Sequence, residues 1–296
     1  MQIRPRACAT LAASLALLAA ASCGSSSGPA STASHTAPVR PLSGTTPASH
    51  PLRGIIALGH SALTGENSDP QRPGTAALQN SWATGTNPAI DSIYQRLAAV
   101  DPTLRGHAVN AAAGGAPAGA LVGQATEALS VEPNPRLVII QTIDNDIRCD
   151  GSDRANYPVF GRQVKAAVDL IARQAPRTMI LLMSQPGRPL PAIKAIVGTP
   201  AARALIGSDI CSSFDPDLRL NLQHITTLTG IIEGYESELA KACATVPECH
   251  TDKGRATHFQ VPASYYSSDW NHLNVTGLAA LARFMWPTIA KILNLH

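Results

Sequence analysis

Four large apolar residues in a row, Leu137-Val138-Ile139-Ile140, run into Gln141-Thr142 and then stop at Ile143-Asp144-Asn145-Asp146. A short apolar run with no polar alternation reads as a buried strand, which needs other elements to cover its faces. Gly54-Ile55-Ile56-Ala57-Leu58-Gly59 has the same character between two glycines, and Thr178 to Met183 is a further run of this kind. His107-Ala108-Val109-Asn110 and His258-Phe259-Gln260-Val261 are shorter candidates. Helical spacing of apolar residues fills the intervals. Ile90, Ile93, Tyr94, Leu97 and Ala98 share one face behind a start signal at Asn87-Pro88, and Asp101-Pro102 ends that helix. Phe160 to Gln174, Leu218 to Ala242 and Thr276 to Leu293 read likewise, the last with Leu278, Leu281, Met285 and Ile289 turned inward. Strand alternating with helix predicts one α/β domain over residues 51–296.

The polar residues that could do chemistry stand at the ends of these elements. Asp269 and His272 lie three apart, just before the last helix. One short loop can then present both, with the carboxylate orienting an imidazole that takes a proton from a hydroxyl. Ser61 supplies a hydroxyl directly after the first strand, where α/β sheets bind ligands, although Gly, His and Ser are also ordinary turn residues. Ala111 to Ala116 is a run of small residues that lets a backbone N–H approach a ligand closely, or makes a tight strand-to-helix crossover. Asn145 after the third strand is an available side-chain donor, or a turn-forming Asx residue. Between Gly187 and Lys253 prolines interrupt the pattern, and this insertion is expected to build part of a substrate wall.

The N-terminus addresses the compartment. Arg4 and Arg6 precede a short apolar run from Leu11 to Ala21, too short for the about 20 residues that span a bilayer. Ala20-Ala21-Ser22-Cys23 resembles a bacterial lipoprotein signal, with residues 1–22 removed and Cys23 lipidated; an ordinary secretory peptide is the alternative. Residues 23–50, rich in Ser, Thr, Ala, Pro and Gly, cannot bury a core and read as a flexible tether. Loss of Arg4 and Arg6 takes the net charge from +3 to +1, and no basic run is present, so a nucleic-acid partner is not expected. Four cysteines remain in the expected domain, Cys149, Cys211, Cys243 and Cys249, an even number suited to an oxidising compartment. Of the three pairings, Cys243 with Cys249 around Pro247 and Cys149 with Cys211 is preferred. Zinc is the rival, but no Cys-x-x-Cys pair is present and His250 alone does not complete a site. No metal and no cofactor is expected.

Taken in order, four pieces resemble the blocks of the SGNH hydrolases, the superfamily of GDSL lipases and esterases. Gly59-His60-Ser61 is similar to the nucleophile block, Asn110 with Gly115 to the glycine block, Asn145-Asp146 to the asparagine block, and Asp269-x-x-His272 with Asn274 and Gly277 to the last block. The resemblance covers nearly all of the chain beyond the tether. It implies a three-layer α/β/α sandwich, flavodoxin-like, with a central, mostly parallel sheet of about five strands. It also implies Ser61 as nucleophile, His272 as base, Asp269 as its partner, and the Ser61 N–H, Gly115 N–H and Asn145 amide as oxyanion donors. The chain departs from the family where His60 replaces the usual Asp and Ile143 replaces the usual Gly. The nucleophile elbow of α/β-hydrolases, G-x-S-x-G, fits less well, because Leu63 occupies the second Gly position and Asp269 lies beside His272 in sequence.

The expected function is hydrolysis of an acyl ester, whether of a small molecule, a lipid or an acylated glycan, at the bacterial cell envelope through a lipid anchor. Acyl transfer by the same residues, or a non-catalytic surface lipoprotein binding a glycan or a protein, are the alternatives.

Overall fold

The computed structural model describes residues 51–207 and 210–295. The signal segment, the tether and Cys23 lie outside the described residues. Five strands form one sheet: β1 (Ile55–Gly59), β2 (Ala108–Asn110), β3 (Leu137–Gln141), β4 (Met179–Met183) and β5 (Cys249–Thr251). Their order is β2-β1-β3-β4-β5 and every pairing is parallel. Ile55 pairs with both Ala108 and Leu137, Leu137 with Met179, and Ile180 with Cys249. Parallel neighbours need crossovers, supplied by α1 (Ile93–Val100), α2 (Leu121–Val131), α3 (Asp153–Gln174) and the insertion α4 (Pro189–Ala195), α5 (Pro200–Ala204) and α6 (Leu222–Cys243). The last helix is α7 (Val275–Ile292).

Strand periodicity divides the core between the two faces of the sheet. Ile56, Leu58, Val138, Ile140, Ile180 and Leu182 pack with α2, α3 and α6, where Phe160, Val164, Val168 and Tyr235 are buried. Their neighbours Ile55, Ala57, Leu137, Ile139, Leu181 and Met183 face α1 and α7 instead. Both faces are covered, which is why these strands are apolar without alternation. On α7 the large buried side chains Leu278, Leu281, Met285 and Ile289 stabilise by about 1.5–3 kcal/mol each. A smaller cluster of Ile193, Ile196, Ala202, Phe214 and Ile225 forms inside the insertion.

Several expectations need correction. Residues 258–261 are not a strand; the fifth strand is Cys249–Thr251. Buried Asp252 gathers the N–H groups of Ser184, Gly254 and Ala256, at 3.2, 3.1 and 2.7 Å, together with the Ser184 hydroxyl at 2.6 Å. That carboxylate folds the chain into a tight turn, so Phe259 and Val261 enter the core from a loop. The first helix begins at Ile93 and not at Pro88. Ser92 and Gln95 exchange side-chain-to-backbone bonds in a capping box, while Asp91 has φ 50° and cannot continue a helix. Helix α3 starts at Asp153, ahead of Phe160, because its internal Pro158 interrupts the sequence pattern and not the helix. Helix α6 starts at Leu222, where Asn221 accepts the His224 N–H. The disulfides are Cys149–Cys211 and Cys243–Cys249. Among the described residues no helix is long and apolar enough to cross a membrane.

Candidate active site

The sheet order decides where the site lies. The chain moves from β1 outward to β2, then returns to the other side of β1 for β3, so the loops after β1 and β3 diverge over the carboxyl end of the sheet. Such a switch point is where open parallel sheets bind ligands. Ser61 follows β1 and Asn145 follows β3.

The turn carrying Ser61 is held from several directions. Gly59 has φ 134°, and a Cβ there would lie 1.8 Å from the Gln141 carbonyl oxygen, so only glycine fits between β1 and β3. Gln124 of α2 grips the same residue twice: its Oε1 accepts the Gly59 N–H at 2.8 Å and its Nε2 donates to the Gly59 carbonyl at 2.9 Å. Beyond Ser61 the chain makes a short 3-10 turn, Ser61–Leu63, closed by Thr64, whose N–H and Oγ1 both donate to the Ser61 carbonyl. Asn110 at the end of β2 donates to the Leu63 carbonyl at 2.8 Å. This turn stands on sheet and helix together.

The loop before α7 carries Asp269 and His272. Asn274 caps α7 by accepting the Gly277 N–H, and its amide donates to the carbonyls of Ser264 and Tyr266. A Cβ on Gly277 would lie 2.7 Å from the Tyr265 carbonyl oxygen, which explains a glycine at that position. Asp269 Oδ1 accepts the N–H groups of Asn271 and His272, at 3.0 and 3.1 Å, and Oδ2 lies 2.6 Å from His272 Nδ1. His272 Nε2 lies 2.8 Å from Ser61 Oγ, across a separation of 211 residues. With the carboxylate accepting at Nδ1, that nitrogen carries the ring proton and Nε2 is free to accept from the serine hydroxyl. Burial pushes the Asp269 carboxyl up, but hydrogen bonds from His272, Asn67 and the backbone outweigh it and hold the group down at about 2.

Gly115 and Asn145 stand apart from this chain of hydrogen bonds. Gly115 occupies an exposed turn at φ 74°, and neither its N–H nor that of Ser61 has a hydrogen-bond acceptor among the described residues. Asn145 Nδ2 donates to the Ala116 carbonyl at 3.3 Å, which ties its loop to the one carrying Gly115. Asp146 strengthens that tie by accepting the Ala118 N–H at 2.9 Å, and burial pushes its carboxyl up. Ile143 takes φ 116° and ψ −59° to make the turn after β3. The insertion meets the site where its apolar cluster packs against Tyr266 and Trp270, whose rings are 6.3 Å apart on the loop that carries Asp269.

Asn67 has no counterpart in the motifs read from the sequence. It sits at φ 59° in the loop after the Ser61 turn. Its Oδ1 accepts the Gly74 N–H at 2.7 Å, which orients the amide so that its NH2 group serves as the donor to Asp269. No local pattern marks such a residue, because its partner comes from the other end of the chain. No group of three or more His, Cys, Asp or Glu side chains among the described residues is arranged to hold a metal ion.

No family model matches the chain, and no curated protein matches it. Solved structures do. The psychrotrophic esterase EstA from a Pseudoalteromonas species is 13% identical over 82% of this chain and 99% of its own, with a TM-score of 0.48. An extracellular lipase from Streptomyces rimosus is 17% identical over 81% and 99%, with a TM-score of 0.49. A GDSL-like lipase from Parabacteroides merdae is 12% identical over 83% and 99%, with a TM-score of 0.45. At these identities and TM-scores the likeness adds no weight to the geometry described above. Over about 81% of the chain, the structures it resembles are esterases and lipases of the GDSL/SGNH kind.

Proposed function

We propose that this chain is a serine ester hydrolase acting outside the cytoplasm. One observation carries the reading: a serine hydroxyl 2.8 Å from an imidazole whose other nitrogen lies 2.6 Å from a carboxylate, all at the switch point of the sheet. Ser61 Oγ attacks the acyl carbon while its proton passes to His272 Nε2, and Asp269 stabilises the imidazolium. The Ser61 N–H, Gly115 N–H and Asn145 amide receive the tetrahedral oxyanion; two of them have no competing partner among the described residues, and the third gives up a long bond to Ala116. The ester C–O bond then breaks as His272 returns the proton to the departing alcohol. Water adds to the acyl-enzyme with His272 as base, releasing the carboxylic acid. The His272 and Asp269 side chains are 18% and 27% exposed, so water has access, and this favours hydrolysis over transfer to a second alcohol.

Two disulfides suit an oxidising compartment. Anchorage through a lipidated Cys23, with residues 23–50 as tether, is the form of export this proposal adopts. The substrate class is an acyl ester of a small molecule, a lipid or a glycan. The test is hydrolysis of p-nitrophenyl acetate and longer-chain esters by the wild type and by Ser61→Ala, with a serine-directed phosphonate and mass spectrometry of the labelled peptide. Turnover abolished in the variant, with label on Ser61, is the expected result. A folded protein with neither turnover nor label refutes the proposal.

A further inference from the structure

His60 precedes Ser61, yet the reaction above gives it nothing to do. The side chain is 2% exposed. Its Nδ1 accepts the Ala62 N–H at 3.3 Å and so caps the turn that presents the Ser61 hydroxyl. A ring nitrogen that accepts has no proton, so the neutral imidazole holds its proton on Nε2. Among the described residues that Nε2 has no hydrogen-bond partner, and the nearest carboxylate oxygen, Asp144 Oδ2, is 3.7 Å away. The site therefore contains a buried imidazole whose proton acceptor holds the nucleophile turn.

We propose that His60 is a positioning residue that arms Ser61 only while its imidazole is neutral. The inference rests on the reading of Ser61 as nucleophile. An acceptor capping the first N–H groups of a turn is ordinarily a Ser, Thr, Asp or Asn oxygen, which keeps its lone pairs near neutral pH. An imidazole does not. A proton arriving at Nδ1 sets two donors, Nδ1–H and the Ala62 N–H, against each other and releases the cap. It also creates a cation on the residue next to the nucleophile, 3.7 Å from Asp144 Oδ2.

The groups facing His60 set the range over which this happens. Burial is the largest influence and lowers its pKa below the ordinary histidine value. Asp144, on the turn after β3, pushes it back up; His272, on the loop before α7, lowers it; and Asp146 raises it. The neutral, arming form is thus present at neutral pH and is lost as the medium becomes acid. The ionisation of His60 then adds one proton to the acid limb.

The experiment has two arms on the purified full chain. In the first, kcat/KM for p-nitrophenyl acetate is followed against pH for the wild type and for His60→Asn, whose amide oxygen can cap the turn without titrating. Folding is checked by circular dichroism over the same range. At the acid end the wild-type slope of log kcat/KM against pH exceeds that of His60→Asn by one. Each pH unit below the His60 ionisation then separates them by a further tenfold. The second arm needs no turnover. In uniformly 15N-labelled Ser61→Ala, NMR shows His60 as the Nε2–H tautomer at neutral pH, and the Ala62 amide resonance moves in step with its ionisation. Equal acid slopes in folded wild type and His60→Asn overturn the proposal. So does an Nδ1–H tautomer, or an Ala62 amide that ignores the titration. Should the chain hydrolyse no ester, or His60→Asn not fold, the second arm decides alone, and failure of the esterase reading stays distinct from failure of this one.

Discussion

Ile143 is where a β-branched residue holds a backbone conformation that L-residues avoid, so its replacement should reverse a familiar order. At φ 116° and ψ −59° a Cβ crowds its own backbone, and such sparsely populated conformations cost about 1–3 kcal/mol. The side chain is 0% exposed, packed in the core shared by β1, β3, α2 and α3, and that packing holds the strain in place. Ile143→Ala loses most of the buried side chain, at a cost of about 2–5 kcal/mol, and keeps the Cβ that causes the strain. Ile143→Gly loses the same packing but relieves the strain. At an ordinary position Gly is less stable than Ala by about 0.5–1 kcal/mol. Here relief of about 2 kcal/mol, the middle of the strain range, leaves Gly ahead by about 1 kcal/mol. In thermal unfolding that is a melting temperature about 2–4 °C higher for Gly than for Ala, both below wild type. Urea midpoints of the two variants, measured side by side, check the order. An Ala variant more stable than the Gly variant would refute the claim that the turn after β3 is strained.

Other outcomes follow from the site and its supports. Asn145→Ala should lower kcat by roughly 100- to 1000-fold, as loss of one oxyanion donor does; an unchanged kcat on p-nitrophenyl acetate removes Asn145 from the reaction. Asn67→Ala takes one donor from Asp269 and should raise its pKa from about 2 towards 3.8. Because folding depresses this pKa, the carboxylate stabilises fully above 3.8 and loses that contribution as the pH falls through about 2. The variant should therefore unfold at a higher pH in an acid titration followed by circular dichroism, and an unmoved acid transition would show that Asn67 does not hold Asp269. The Cys149–Cys211 bridge spans 62 residues and the Cys243–Cys249 bridge spans 6. Loop-closure entropy gives about 4 kcal/mol for the first and about 2 kcal/mol for the second, so paired Cys→Ser replacement should lower the guanidinium midpoint more at Cys149/Cys211.

What could be read from the chain alone was what local chemistry decides. β1, β3 and β4 are buried on both faces, so their residues are apolar as far as Gln141 at the end of β3, and the strands mark themselves. Helix α7 announces itself by four inward residues behind an Asn cap. Asp269 and His272 meet within one loop, so their spacing already contains their contact. The fifth strand is not legible in the sequence because Cys249–Thr251 is only three residues long and is paired to β4 beside a disulfide, whereas the more apolar 258–261 segment is bent into a loop by Asp252. The same limit applies to the site. Hydrogen bonds between Gly59 and Gln124, from Asn67 to Asp269 and from the Ala62 N–H to His60 depend on where the chain is folded back, or on which ring nitrogen faces which amide. Residue identity sets which groups can donate or accept. Only the order β2-β1-β3, which sets the first and third strands side by side with a switch point between them, decides which of them meet.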